Sequence, residues 1–251
     1  MKLLKRIAPA ALLAVAWFAA PVSAAEIQGK TITLPSTERQ VKVTYFRAPG
    51  DAKRPAVLLL HGAGGFDRRI AEYNHYASVL ANAGIDAYLF YYYNQQDDQM
   101  MSFGVDIFAQ RYEAWAKQVD DVADYLTKQK DSNGKVGLVG FSNGGILASG
   151  ASSLDTKINA AVIYYGTDPW PLPAEPTHYP PLLILHGDAD QVIPVEEGKQ
   201  LAAEAKLAGA KVDLVIYPGE MHGFGSDTTK KNGADALQRT VTFLKRELQI
   251  K

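Results

Sequence analysis

Val136-Gly-Leu-Val-Gly-Phe-Ser-Asn-Gly-Gly-Ile146 joins an apolar run of strand-forming residues to a helical segment through a serine. The run ends in Gly140-Phe141-Ser142-Asn143-Gly144, and small residues follow at Gly145, Ala148, Gly150 and Ala151. Glycine two places before and two after the serine suits a sharp strand-to-helix turn, because a Cβ at either place would collide with the neighbouring strand or helix. Such a turn lifts the serine hydroxyl off the end of a sheet. The pentapeptide alone recurs by chance, so the remaining residues have to supply a base, an acid and anion-stabilising donors in a compatible order.

Outward from this turn, strands and helices alternate. Ala56–Leu60 is continuously apolar, the signature of a strand buried on both faces, and Ile158–Tyr165 and Leu182–Leu185 are two further buried-type strands. Thr31–Leu34 and Val41–Phe46 instead alternate apolar and polar side chains, as a half-exposed antiparallel edge does. Ile85–Phe90 and Val212–Tyr217 are further strands. Helices are expected over about residues 68–83, closed by Gly84, and over 195–208, closed by Gly209. Phe108, Tyr112, Trp115, Val119, Val122 and Leu126 recur at spacings of four and three, placing them on one face of a long amphipathic helix. Leu237, Val241, Leu244 and Leu248 form a similar stripe near the C-terminus, and the polar stretch Asn94–Gly104 reads as a loop. The order predicts an α/β domain: a mostly parallel central sheet of about 7–8 strands, helices on both faces, and ligands at the carboxyl ends of the strands.

The bulk properties are consistent with one such domain. The chain has 251 residues, 47% of them apolar and 21% charged, with no internal repeat or low-complexity tract. Its first 24 residues differ in kind. Met1–Arg6 is basic, Ile7–Ala20 is apolar, and Pro21-Val-Ser-Ala24 offers small residues at cleavage spacing, as a secretory signal peptide does. The apolar run is shorter than the roughly 20 residues that span a bilayer and contains Pro9, which disfavours an anchor. The expected division is therefore a signal peptide over 1–24 and a single domain over 25–251, with no stable membrane association after cleavage.

Cleavage would remove Lys2, Lys5 and Arg6 and no acid, taking the formal net charge from −1 to −4. That argues against nucleic acid or an anionic membrane as partner, since both need concentrated positive charge. There is no cysteine, hence no disulfide, thiolate nucleophile or lipidated N-terminal cysteine. Export without disulfides suits a bacterial periplasm, with secretion outside the cell as the alternative. The composition leaves the oligomeric state open.

Several expected strands end in reactive residues. Ser142 follows one, the glycines after His61 a second, Asp188 and Asp190 a third, and His222 the last. In a parallel sheet these ends lie along one edge, and serine, aspartate, histidine is the chain order of hydrolases built on such sheets. Of the histidines at 61, 75, 178, 186 and 222, only His222 lies both after the acids and in a loop after a strand, which makes it the general base. His61 and His186 each precede a glycine at a strand end, a setting for bonding loop backbone. The acid is Asp190 or Asp188; Asp190 lies deeper in the turn leading to Val192 and Pro194, whereas Asp188 suits a backbone-bonding role. Its task is to hold the neutral tautomer of His222 and stabilise the protonated form. The oxyanion hole requires two backbone N–H groups, expected from Asn143 and from Ala63, with Gly64 as alternative to Ala63. His61-Gly-Ala-Gly-Gly65 is not a phosphate loop, because no Lys-Ser/Thr follows and the glycine spacing differs. No ligand cluster such as H-E-x-x-H is present, so neither a metal nor another cofactor is expected.

Together, His61-Gly-Ala-Gly-Gly-Phe66, Gly140-Phe-Ser-Asn-Gly-Gly145, Asp190 four residues before Pro194, and Met221-His222-Gly-Phe224 resemble the dienelactone hydrolase family of α/β-hydrolases. The resemblance implies an α/β-hydrolase fold without a large lid domain, and it puts Ser142, Asp190 and His222 in the triad positions. The namesake enzymes use a cysteine nucleophile assisted by a glutamate in the first oxyanion loop, where this chain has Ser142 and Gly62. They also hold a substrate carboxylate with arginine, one of them four residues past the triad histidine, where this chain has Ser226. A serine hydroxyl is far less acidic than a thiol and depends on its histidine.

The expected activity is that of a serine esterase or lactonase acting on a small-molecule carboxylic ester or lactone. The alternatives are a peptidase or acyl-peptide hydrolase of the prolyl-peptidase type and a non-catalytic binding protein on the same scaffold. Tyr91, Tyr92 and Trp170, with Met100, Met101 and Phe103, are the expected aromatic and apolar walls of a substrate pocket.

Overall fold

The strands are β1 (Lys30–Leu34), β2 (Val41–Phe46), β3 (Arg54–Leu60), β4 (Asp86–Phe90), β5 (Ser132–Phe141), β6 (Ile158–Tyr164), β7 (Leu182–Gly187) and β8 (Val212–Tyr217). They form one sheet in the order β1-β2-β4-β3-β5-β6-β7-β8. The structure, a computed structural model, describes residues 25–102, 107–154, 157–169 and 178–250; the expected signal segment and Trp170 and Phe103 lie outside them. β2 pairs antiparallel with both β1 and β4, and the six strands from β4 to β8 are parallel to one another. This is the mostly parallel sheet that the sequence predicts, with the alternating segments at its antiparallel edge.

The helices are α1 (Ile70–Asn82), α2 (Gln95–Ser102), α3 (Phe108–Thr127), α4 (Asn143–Leu154), α5 (Val195–Leu207) and α6 (Lys231–Glu247). Successive residues of β3 serve opposite faces of the sheet, as a strand's period of two requires. Leu58 and Leu60 pack with Trp115 and Val119 of α3, Leu147 of α4 and Leu201 of α5. Val57 and Leu59 pack with Tyr76 and Leu80 of α1 and Phe243 and Leu244 of α6. Both faces are therefore dry, which is why β3 reads as an unbroken apolar run. The face of α3 predicted from its spacing is the buried one: Tyr112, Trp115, Val119, Val122 and Leu126 are all buried.

Residues 94–104 were expected to be a loop, yet Gln95–Ser102 is helical. The reason is a reciprocal cap. The Asp97 N–H donates to Asn94 Oδ1 at 2.8 Å, and the Asn94 N–H donates to Asp97 Oδ2 at 3.1 Å. Two otherwise orphaned donors are satisfied, in the manner of a capping box with aspartate at its third position. Asp97 also accepts from Trp115 Nε1 at 3.1 Å and pairs with Arg111 at 3.0 Å, so a buried carboxylate ties α2 to α3.

The two ends of the sheet have different chemistry. At the amino ends of β3 and β4, Arg54 Nε donates to Asp86 Oδ1 at 2.8 Å, and the same carboxylate accepts from the Ala48 N–H and the Tyr45 hydroxyl. Every charge there is met, as a buried pair requires.

On the carboxyl side, Asp168 follows β6. Its Oδ1 accepts from the Ser149 hydroxyl at 2.5 Å and the Tyr179 hydroxyl at 3.0 Å, linking the chain after β6 to α4, while Oδ2 is buried without a hydrogen-bond partner among the described residues. Burial, with the charge of Glu204 nearby, pushes this carboxyl up to about 6. The folded protein therefore holds a proton there that the unfolded chain has lost. Stability should fall as pH rises from about 4 to about 6, by on the order of 3 kcal/mol, and stay level above that. Asp168→Asn should flatten that part of the profile, measured by chemical denaturation at successive pH values. A profile unchanged in the variant would remove Asp168 as its source.

Candidate active site

Ser142 sits between β5 and α4 with φ +56°, a left-handed conformation that a β-carbon disfavours. The turn is possible because its flanks are bare. A Cβ on Gly140 would lie 2.0 Å from the Gly144 carbonyl oxygen, and one on Gly144 would lie 2.2 Å from the Leu60 carbonyl oxygen. The strain of such a residue, on the order of 1–3 kcal/mol, is held by its surroundings. Here the Ser142 N–H donates to the Tyr164 carbonyl, and the Ser142 carbonyl accepts the Ile146 N–H of α4.

The Ser142 hydroxyl donates to His222 Nε2 at 2.8 Å, and His222 Nδ1–H donates to Asp190 Oδ2 at 2.8 Å. Both ring nitrogens are thus assigned, since a carboxylate oxygen only accepts. Asp190 is buried, and its second oxygen accepts the N–H groups of Val192 and Ile193 at 2.8 and 2.9 Å. Three N–H donors fix its orientation. Asp188 does something else: its Oδ1 accepts the Gly219 N–H at 2.7 Å, closing the turn after β8. The two acids that the sequence left open therefore have separate positions, and the one that meets His222 is Asp190.

His186 supports this turn from beneath. Its Nε2–H donates to the Ile193 carbonyl at 2.9 Å, and burial lowers its pKa, keeping the ring neutral beside Asp190. His61 likewise bonds backbone, from Nδ1–H to the Gly62 carbonyl at 2.8 Å. Both have the loop-bonding setting anticipated from the glycine that follows each.

The turn after β3 closes over the serine. A Cβ on Gly62 would lie 3.3 Å from Ser142 Cβ, so this backbone passes directly beside the hydroxyl. The N–H groups of Ala63 and Asn143 are not spent on loop hydrogen bonds among the described residues. Ala63, Asn143, Ser142 and His222 share a cavity of about 410 Å³ with Arg69, Tyr73, Tyr165 and Val192 on its walls. It combines a proton-transfer chain with two unpaired N–H donors, the arrangement needed where negative charge develops on a carbonyl oxygen.

A family model for the dienelactone hydrolase family matches residues 43–248. The chain belongs to the dienelactone hydrolase family. The match spans from β2 to beyond α6 and so includes Ser142, Asp190 and His222. A relative of the carboxymethylenebutenolidase type from Saccharolobus solfataricus is 31% identical over 117 residues, covering 45% of this chain and 44% of that protein. The chain thus aligns with about half the length of the curated relatives it matches. Among solved structures, a dienelactone hydrolase-type protein from Klebsiella pneumoniae superposes with a TM-score of 0.72 at 20% identity, covering 86% of this chain and 97% of the other. An esterase from Pyrobaculum calidifontis superposes with a TM-score of 0.72 at 19% identity, covering 87% and 85%. At these identities the superpositions show a shared fold.

Within the family framework, several residues of the site were not singled out from sequence. Tyr165, one residue past β6, has φ +38° and packs its ring 4.8 Å from the His222 ring, walling the cavity behind the imidazole. Arg69 Nη1 donates to the Ser226 hydroxyl at 2.5 Å, and that hydroxyl donates to the Gly223 carbonyl. A guanidinium from the turn before α1 thereby braces the loop that carries His222, at the position where the namesakes carry arginine in sequence. Arg39 Nη2 donates to the carbonyls of Tyr91, Tyr92 and Tyr93 at 2.9, 3.0 and 3.0 Å, pinning the chain beyond β4. No sequence period marks these long-range contacts.

The expected pocket walls divide. Tyr91 lines a second cavity beside the first, whereas Tyr92 is fully buried, with its hydroxyl donating to the His61 carbonyl at 2.6 Å. Tyr92 belongs to the core, because the Arg39 clamp turns the backbone after β4 and sends its ring inward. Met101 lines the second cavity, while Met100 packs against the core.

Proposed function

We propose that this chain is an exported serine esterase or lactonase. The observation that carries the reading is the hydrogen-bonded series Ser142–His222–Asp190 beside the unspent N–H groups of Ala63 and Asn143. In the proposed reaction, Ser142 Oγ bonds to the acyl carbon while its proton passes to His222 Nε2. The carbonyl oxygen gains negative charge against the Ala63 and Asn143 N–H groups. His222 then gives the proton to the departing alcohol oxygen as the carbon–oxygen bond breaks, leaving an acyl group on Ser142. Water attacks that group, with His222 taking its proton, and releases the acid.

A lactone follows the same course with its alcohol still tethered to the acyl group. Membership in the dienelactone hydrolase family supports ester or lactone chemistry, and the Ser142 hydroxyl requires the histidine that a thiolate could dispense with. The proposed site of action is the periplasm, on the strength of the basic and apolar pattern of residues 1–24.

The test is active-site labelling. A fluorophosphonate should modify the folded protein at Ser142 with one-to-one stoichiometry and abolish hydrolysis of phenyl acetate. Absence of labelling in folded protein would return the chain to the class of binding proteins. Amide turnover rivalling that of the matched ester would make it a peptidase.

A further inference from the structure

A second cavity of about 360 Å³ adjoins the one that holds Ser142; the two share Ala63, Gly64, Gly65 and Arg68. Three charged side chains on its wall, Asp67, Arg68 and Asp98, make no hydrogen bond or ion pair with any described residue. A fourth polar group is buried. His61, 1% exposed, lines the cavity with its ring stacked 4.1 Å from Tyr92. Its Nδ1 carries the proton, because the Gly62 carbonyl it meets can only accept, which leaves Nε2 as the acceptor nitrogen of the ring. Tyr91 and Met101 supply apolar surface alongside.

The wall offers acceptors at His61, Asp67 and Asp98 and a donor at Arg68. A ligand rich in hydrogen-bond donors matches it, either a polyol or an organic cation. One observation favours the polyol: the Tyr91 ring already carries the Lys42 ammonium 4.2 Å from its centre, which occupies a face that a cation would use. Hydroxyl groups both donate and accept, and the C–H face of a sugar ring suits an aromatic wall.

We propose that this second cavity binds a hydroxyl-rich alcohol component of the substrate, making the enzyme selective for acyl esters of sugars or related polyols. A polyol is by its chemistry the alcohol side of an ester, which assigns the acyl group to the cavity walled by Tyr73, Tyr165 and Val192. The stem of Arg68 lies over the oxyanion turn, where a methyl group on Gly64 would meet Arg68 Cδ at 3.1 Å, so this side chain borders both components. The inference rests on the esterase reading, but the binding it predicts does not require turnover.

The experiment uses the chain from residue 25 onward. Binding of unesterified methyl hexopyranoside to Ser142→Ala is followed by ligand-observed NMR, with choline as the cationic comparison. Separately, kcat/KM for an acetylated methyl hexopyranoside relative to phenyl acetate is measured in wild type, Asp98→Leu and Asp67→Leu. The hexopyranoside should bind at millimolar concentration, and the ratio should fall about tenfold in each variant, as expected for loss of one charge-assisted hydrogen bond. No hexopyranoside binding at about 100 mM, tighter binding of choline, or an unchanged ratio in both variants would overturn the assignment. Hexopyranoside binding by a protein that leaves phenyl acetate intact would support this cavity while removing the esterase reading.

Discussion

Ser142→Ala should lower kcat for phenyl acetate by about 10⁶, the loss typical when the nucleophile of a cooperating triad is removed. The expected size follows from what remains. His222 and Asp190 would still be paired, and the Ala63 and Asn143 N–H groups would still face the carbonyl oxygen, so binding and charge stabilisation persist without an attacking atom. The substitution is also a clean one. Alanine has the same β-carbon at φ +56° that serine already carries, and among the described residues the side-chain bond lost is the one to His222. The thermal midpoint should therefore move by no more than a few degrees, and activity should vanish from a folded protein. Hydrolysis within about a hundredfold of wild type would exclude acyl transfer through Ser142.

The parts of this site are encoded locally in the sequence. The turn at Ser142 needs glycine at 140 and 144 because two carbonyl groups pass within about 2 Å of where a Cβ would sit, and that constraint is written in five consecutive residues. The strands announce themselves because both faces are covered, giving unbroken apolar runs at Ala56–Leu60 and Leu182–Leu185. A parallel sheet then brings the strand ends together without further information.

What local pattern cannot carry is direction beyond a strand end. Tyr91, Tyr92 and Tyr93 are identical in sequence, and their different fates depend on Arg39, 52 to 54 positions away, gripping their three carbonyls. The helix over Gln95–Ser102 was missed for another reason. Its polar composition lacks an apolar stripe, and its cap is an Asn-x-x-Asp pair whose carboxylate doubles as an anchor for Trp115. Arg69 and Tyr165 were hidden similarly: one reaches the site from the turn before α1, and the other enters it by a left-handed residue just past β6.

Asp190→Asn should lower kcat by about 10⁴, whereas Asp188→Asn should stay within about tenfold of wild type. The contrast follows from which oxygen each partner holds. In Asp190, Oδ1 is committed to the N–H groups of Val192 and Ile193, and Oδ2 receives the His222 proton. An asparagine must keep its carbonyl oxygen toward the two backbone donors, so its NH2 group faces His222 Nδ1. Donor would then meet donor. The imidazole can relieve this only by moving its proton to Nε2, which converts the atom that should accept from Ser142 into a donor and leaves the hydroxyl without a base. Folding should survive, since the backbone bonds of the turn remain and no charge is buried in the amide. In Asp188, by contrast, one oxygen accepts a single N–H from Gly219, a bond that the asparagine carbonyl can replace without touching the histidine. Equal losses from the two substitutions would mean that both act through the shape of the turn, and a larger loss from Asp188→Asn would transfer the acid's role to that residue.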